Sequence, residues 1–241
     1  MDRIRFEVLF TDIFAKNGIE EYATARNIDL FAGFAEFLMS ENEKYNLTAL
    51  REIEKIIPLH FADCALVSDL IPQGASVLDI GCGGGFPTIP LAIIRPDISI
   101  CGLDSTAKKL NFIDMAAKNL GLTNISTLTG RAEELIDGRR ESYDIVISRA
   151  VARLNILTEL CIPFVKVDGK FIAMKGAAAH EEIREAVRGA LLLGGQISIT
   201  QEHDLITNEV PEKRVSVITV KTSPTPPQYP RAFGAIKKKP L

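Results

Sequence analysis

A chain of 241 residues, 46% hydrophobic and 24% charged, is long enough to bury the core of one α/β domain with a small appended element, and it has no apolar run able to cross a bilayer. Its formal charge of -3 argues against coating nucleic acid by bulk attraction, although residues 1–56 hold seven basic against eleven acidic side chains and residues 210–241 hold seven basic against one. Cys64, Cys82, Cys101 and Cys161 lack the paired spacing of a disulfide framework, zinc site or redox dithiol, and the N-terminal segment lacks the uninterrupted apolar core of a signal peptide. A soluble cytoplasmic protein with reduced cysteines, no metal and no membrane partner is expected.

Apolar residues Ile4, Val8, Phe10, Ile13 and Phe14, then Phe31, Phe34, Phe37 and Leu38, recur at helical spacing. A connector at Leu47 to Leu50 leads to a further helix from about Arg51 to Leu70, stopped at Pro72 and Gly74. These elements predict an N-terminal helical region over residues 1–73. Beyond it, β-rich runs at 76–80, 98–103, 125–128, 143–148 and 170–174 alternate with helices starting near Pro87, Ala107, Arg131, Leu154 and His180. Such alternation predicts a parallel sheet with helices on both faces. The last two runs, 196–202 and 214–221, have no helical stretch between them and predict an antiparallel edge hairpin. The expected fold over 74–222 is α/β, a Rossmann-like arrangement with a seven-stranded, mostly parallel sheet, an antiparallel edge hairpin and an N-terminal helical extension. Residues 223–241, rich in proline and base, are expected to form a tail without regular structure.

The sharpest motif runs from Val77 through Asp79, Gly81, Gly83 and Gly85 to Phe86 and Pro87, a buried strand that breaks into glycines and restarts as a helix. Glycines allow the sharp turn and close approach of backbone to a ligand, and proline suits a first helical turn. A dinucleotide site would want glycine where Phe86 stands, and a P-loop would want a Gly-Lys-Ser/Thr ending that is absent. Asp-x-Gly-x-Gly-x-Gly is similar to the first motif of S-adenosylmethionine enzymes; a turn of purely structural use is the alternative. Asp104, closing the second strand, is placed for ribose hydroxyls, or with Ser105 and Thr106 for capping the next helix. Ala132 and Glu133 after the third strand suit adenine, or merely an acidic helix start.

After the fourth strand, Ser148-Arg149-Ala150-Val151-Ala152 stands where exocyclic-amine methyltransferases carry Asp/Asn-Pro-Pro-aromatic, and there is no Pro-Cys pair for attack on a pyrimidine ring. A guanine N7 already has a lone pair and no proton. Transfer to it needs alignment and electrostatics, so no catalytic general base is expected. His60 is read as structural.

Asn46-Leu-Thr48-Ala49, His60-Phe-x-Asp63, the glycine motif, Ile89-Pro-Leu-Ala92, Asp104-Ser105, Gly130-Arg-Ala-Glu133, Ser148 to Ala152, Lys175-Gly176 and Tyr229-Pro-Arg231 together resemble the RsmG family, also called glucose-inhibited division protein B, from about residue 44 to the C-terminus. The resemblance implies methylation of guanine N7 in 16S rRNA of the small ribosomal subunit, with S-adenosyl-L-methionine as cofactor. It implies cofactor contacts at Gly81, Phe86, Asp104 to Thr106, Ala132, Glu133 and Arg149. Departures from the family pattern are Thr88, usually glycine, and Lys109, usually arginine. On the substrate side, Asn46, Arg149, Lys175, Arg231 and the run Lys237, Lys238 and Lys239 are candidates for RNA, the basic ones through phosphates. A monomer is expected. The alternatives are a methyltransferase for a small molecule or protein, and a non-catalytic S-adenosylmethionine-binding protein.

Overall fold

A computed structural model of the chain describes every residue except Asn208 and the side chain of Ile199. Helix α1 (Arg3–Lys16) starts where the Asp2 carboxylate accepts from the amides of Ile4 and Arg5, and α2 (Ala25–Tyr45) starts where the Thr24 hydroxyl accepts from Asn27. Asn46, left-handed at φ 50°, ends α2. Phe6, Phe10, Ile13, Phe14, Phe31, Phe34 and Leu38 are fully buried. Ile4 and Val8, which share the helical spacing, face outward instead.

The helix predicted after the connector is present but interrupted. It comprises α3 (Ile53–Ile56), a π-helical turn over Ile57–Ala62, and α4 (Asp63–Ala65). The π turn changes the angular register within this stretch, a local irregularity common at functional sites.

The sheet contains β1 (Ser76–Ile80), β2 (Ser99–Asp104), β3 (Ile125–Thr129), β4 (Tyr143–Arg149), β5 (Val165–Lys175), β6 (Gly195–Leu205) and β7 (Glu212–Lys221). Its order is β3-β2-β1-β4-β5-β7-β6. The first five strands are parallel, and β7 runs antiparallel to both β5 and β6. The edge hairpin thus inserts its second strand and leaves β6 outermost. The order reverses between β1 and β4, and ligands of such sheets bind beyond the carboxyl ends of the strands at that switch point.

Alternate side chains of each strand feed two cores. Val77, Ile145, Ile147 and Ile172 join the cluster shared with α1, α2, α5 (Thr88–Ile94) and α6 (Ala107–Leu120). Leu78, Val146, Phe171 and Ala173 join the cluster under α7 (Leu154–Cys161) and α8 (Ala179–Leu192). The N-terminal helices are therefore continuous with the core on one face of the sheet. Aromatic contacts connect them to the glycine loop: Phe10 to Phe31 at 5.0 Å, Phe31 to Phe61 at 4.8 Å and Phe34 to Phe86 at 5.5 Å between ring centroids.

The C-terminal segment corrects the sequence expectation of a tail without regular structure. Residues 222–241 fold back onto the second cluster and finish in α9 (Phe233–Lys238). Thr225 and Ile236 are buried, and Leu241 lies where a side chain on Gly189 would stand. Buried Lys221 donates to Ile162 O and Thr225 Oγ1, and Arg231 pairs with buried Glu159. A few apolar contacts and satisfied ion pairs thus order a stretch whose composition resembles a loop. Among the described residues no helix is long and apolar enough to cross a membrane.

Candidate functional site

The loop after β1 is held by the neighbouring strand. Gly81 N and Cys82 N donate to Leu103 O at 2.7 and 3.2 Å, and Gly83 N donates to Asp104 Oδ2 at 3.0 Å. Thr106 N donates to the other Asp104 oxygen at 2.8 Å. The two sequence readings of Asp104 are therefore compatible: the carboxylate organises loop and helix start, and an ionised carboxylate still has acceptor sites to spare.

Gly81 needs its lack of a side chain twice over. Its φ is +79°, and a Cβ there would come within 2.3 Å of Val151 Cγ2. Gly81→Ala is expected to cost about 1–2 kcal/mol in backbone strain, with a further loss from displacing Val151. Thermal unfolding should show Gly81→Ala/Val151→Ala recovering only the second part.

Asp79 sits fully buried beneath the loop and accepts from Thr88 Oγ1 at 2.6 Å. Thr88, a departure from the family pattern, is thus the hydroxyl that steadies this acid, whose other oxygen has no hydrogen-bond partner among the described residues. Burial pushes the carboxyl from 3.8 up to about 7. The folded chain then retains a proton that the unfolded chain releases, so this group's contribution to stability falls as pH rises from about 4 to about 7 and levels off above. Subtracting the Tm-versus-pH curve of Asp79→Asn from that of the wild type should expose a falling step in this window; a flat difference would refute it.

These parts bound a cavity of about 590 Å³, inside the size range of small-molecule sites. Of the residues expected at the cofactor, Gly81, Gly83, Phe86, Asp104, Ser105, Ala132, Glu133 and Arg149 line it. Asp79, Gly85 and Thr106 lie outside the lining and shape its supports. Leu47, His60, Lys109, Leu160 and Phe233 also line it and were not singled out as cofactor residues.

At the β4 end of the cavity, a network joins four regions of the chain. Arg149 donates to Asp63 Oδ2 at 2.9 Å and to Leu59 O at 3.2 Å. Asp63 also accepts from Arg214 Nε of β7 at 2.9 Å. Arg149 Nη2 lies 3.0 Å from His60 Nδ1, and His60 Nε2 lies 2.8 Å from Thr48 Oγ1. The same Nδ1 lies 3.1 Å from Leu59 O, so it faces both a guanidinium that can only donate and a carbonyl that can only accept. Burial, then the positive charge of Arg149, lower the His60 pKa to about 3, so the ring is neutral. Its face stacks on Phe86 at 4.2 Å, and the Arg149 guanidinium lies 5.2 Å from the same ring. His60 is thereby a neutral ring built into the cavity wall.

The candidates for RNA contact separate. Lys175 is almost buried, donating to Ala152 O and pairing with Glu182 at 2.8 Å, so it anchors the loop after β4. Arg231 is bonded through Nε and Nη2 to Glu159. Both are committed to carboxylates of the protein, Lys175 nearly buried and Arg231 partly exposed. Asn46 is exposed beside Leu47, and Lys237, Lys238 and Lys239 are exposed on and after α9.

The chain matches the GidB family, described as rRNA small subunit methyltransferase G, over residues 27–205. It is 43% identical over 215 residues to ribosomal RNA small subunit methyltransferase G of Clostridium botulinum strain 657, covering 88% of this chain and 89% of that protein. It belongs to this family. The Clostridium novyi relative is 39% identical over 241 residues, covering 98% of each chain. Among solved structures, M. jannaschii TYW2 in complex with AdoMet matches 66% of this chain and 74% of its own with a TM-score of 0.52 at 14% identity. A putative O-methyltransferase from Klebsiella pneumoniae matches 79% and 90% with a TM-score of 0.53 at 13% identity. At these identities the structural matches show a shared fold. As a member of the GidB family, the chain is an rRNA methyltransferase.

Proposed function

We propose that the cavity binds S-adenosylmethionine and presents its methyl group to N7 of a guanine in 16S rRNA of the small ribosomal subunit, the chain acting as a cytoplasmic monomer. Asp104 carries the cofactor reading: its carboxylate lines the cavity while its backbone-bonded oxygens are fixed, so it can accept from both ribose hydroxyls without reorganising. Glu133 and the backbone of Ala132 would meet the adenine edge, and Gly81 and Gly83 let the chain approach the ligand closely. The Arg149 guanidinium, immobilised on three sides, would turn its remaining N–H groups toward the methionine carboxylate or the RNA. The glycine loop, which lines the cavity at Gly81, Gly83 and Gly84, fits an occupied site.

The cofactor supplies an electrophilic methyl on a sulfonium. The chain's own contribution is alignment, because the N7 lone pair already points outward from the base. His60 is neutral with both ring nitrogens engaged, and burial pushes the Cys82 thiol upward, so neither is prepared to take a proton. This matches a reaction that removes none. Asn46 stands at the cavity's Leu47 side for the incoming base, and Lys237 to Lys239 can meet phosphates.

The test is incubation with methyl-labelled S-adenosylmethionine and small subunits from a strain lacking this enzyme, followed by digestion to nucleosides. Label in 7-methylguanosine supports the proposal, and label in any other nucleoside refutes the N7 assignment. Equal rates on naked 16S rRNA and on subunits would refute the assembled subunit as the substrate.

A further inference from the structure

We propose that Phe233, carried by the folded-back C-terminal segment, forms the outer wall of the adenine end of the cavity, so that residues 222–241 complete the cofactor site. The proposal rests on the S-adenosylmethionine reading above and extends it to a part of the chain whose composition suggested only a basic tail.

The ring lines the cavity together with Ala132, Glu133 and Leu160, and it is half-buried. Adenine has polar edges and apolar faces. Glu133 and the Ala132 backbone offer groups for an edge, whereas Leu160 and Phe233 offer apolar surface for a face. The Arg131 guanidinium lies 5.6 Å from the Phe233 centroid, linking the turn after β3 to the C-terminal segment.

The segment is fixed firmly enough to act as a wall. Glu159, fully buried on α7, accepts from Arg231 N at 2.9 Å, Nε at 2.8 Å and Nη2 at 2.6 Å. Its neighbour Leu160 lines the cavity, so one turn of α7 positions both the pocket floor and the anchor of the segment. Arg231 Nη2 also donates to Lys239 O, Arg140 donates to Tyr229 O, and Ile236 is completely buried. These contacts flank Phe233 on both sides in sequence. The ring is thus presented on an anchored loop-to-helix junction.

The chain has no tryptophan, so Phe233→Trp introduces a single fluorescent reporter at the proposed wall. In the full-length protein, S-adenosylhomocysteine and 5′-methylthioadenosine should change its emission saturably, and free methionine should not. Val187→Trp, on the exposed face of α8, should show no change. Phe233→Ala should retain its fold by circular dichroism and weaken S-adenosylhomocysteine binding roughly tenfold by calorimetry, the scale of one aromatic–base contact. Silent Phe233→Trp emission with unchanged Phe233→Ala affinity, in a protein whose Asp104→Ala variant loses binding, overturns this proposal and leaves the cofactor reading standing. Unchanged cofactor affinity with weakened subunit binding overturns it in favour of an RNA contact. If the wild type binds no S-adenosylhomocysteine, the cofactor reading itself fails.

Discussion

Asp104→Ala is expected to weaken S-adenosylhomocysteine binding about 100-fold while lowering stability by only about 1–2 kcal/mol. The affinity loss follows from two charge-assisted ribose hydrogen bonds, each of about 1.5 kcal/mol, together with loosening of the Gly83 amide that the same carboxylate holds. The stability loss is smaller because the amides of Gly83 and Thr106, left without Asp104, lie next to a cavity that water can enter. Asp104→Asn should fall between alanine and wild type, since the amide retains one acceptor oxygen but replaces the other with a donor. Calorimetric titration beside thermal unfolding separates the two effects. A loss below about threefold with an intact fold would show that the ribose is not bound by this side chain.

The largest stability effect is expected at the anchor of the C-terminal segment. Arg231→Met leaves the fully buried Glu159 carboxylate without its cation and should cost about 3–5 kcal/mol, the usual consequence of breaking a buried pair from one side. For a chain of this length that corresponds to a fall in Tm of roughly 10 °C. Glu159→Gln/Arg231→Met should regain much of the loss, because no buried charge then remains uncompensated. If the single variant melts within about 2 °C of wild type, the ion pair does not secure the segment. The same contacts make truncation after Thr222 unsuitable for measuring RNA binding: it would also strip Thr225 and Ile236 from the core and Phe233 from the cavity.

The parts of the site that were legible in the sequence are those carried by consecutive residues. Asp79 to Pro87 announces a strand, a glycine turn and a helix because each local choice has a backbone cause, and the positive φ values at Gly81, Gly83 and Gly85 agree. Asp104 and Glu133 were found because each follows a strand that ends on the same side of a parallel sheet. The network joining Thr48, His60, Asp63, Arg149 and Arg214 had no such signal. Its members come from a connector, an irregular helix and two strands, and the π turn over 57–62 does not follow from apolar periodicity. Lys175 and Arg231 were legible as charges but not as bound charges, since Glu182 and Glu159 lie far from their partners in the local pattern.

By itself the sequence determined the α/β class, the seven strands and their hairpin ending, and the glycine loop with its two downstream acids. Those features depend on alternation, turn chemistry and strand ends, which act over a few residues. Only the tertiary structure decided which cations are free to meet RNA, how Arg149 is immobilised, and that the C-terminal segment folds back to bring Phe233 to the cavity. These depend on whether a buried acid or an apolar gap waits at a distant point of the fold. Composition cannot report that, because the energy of a buried ion pair or a half-buried ring belongs to the contact and not to either residue.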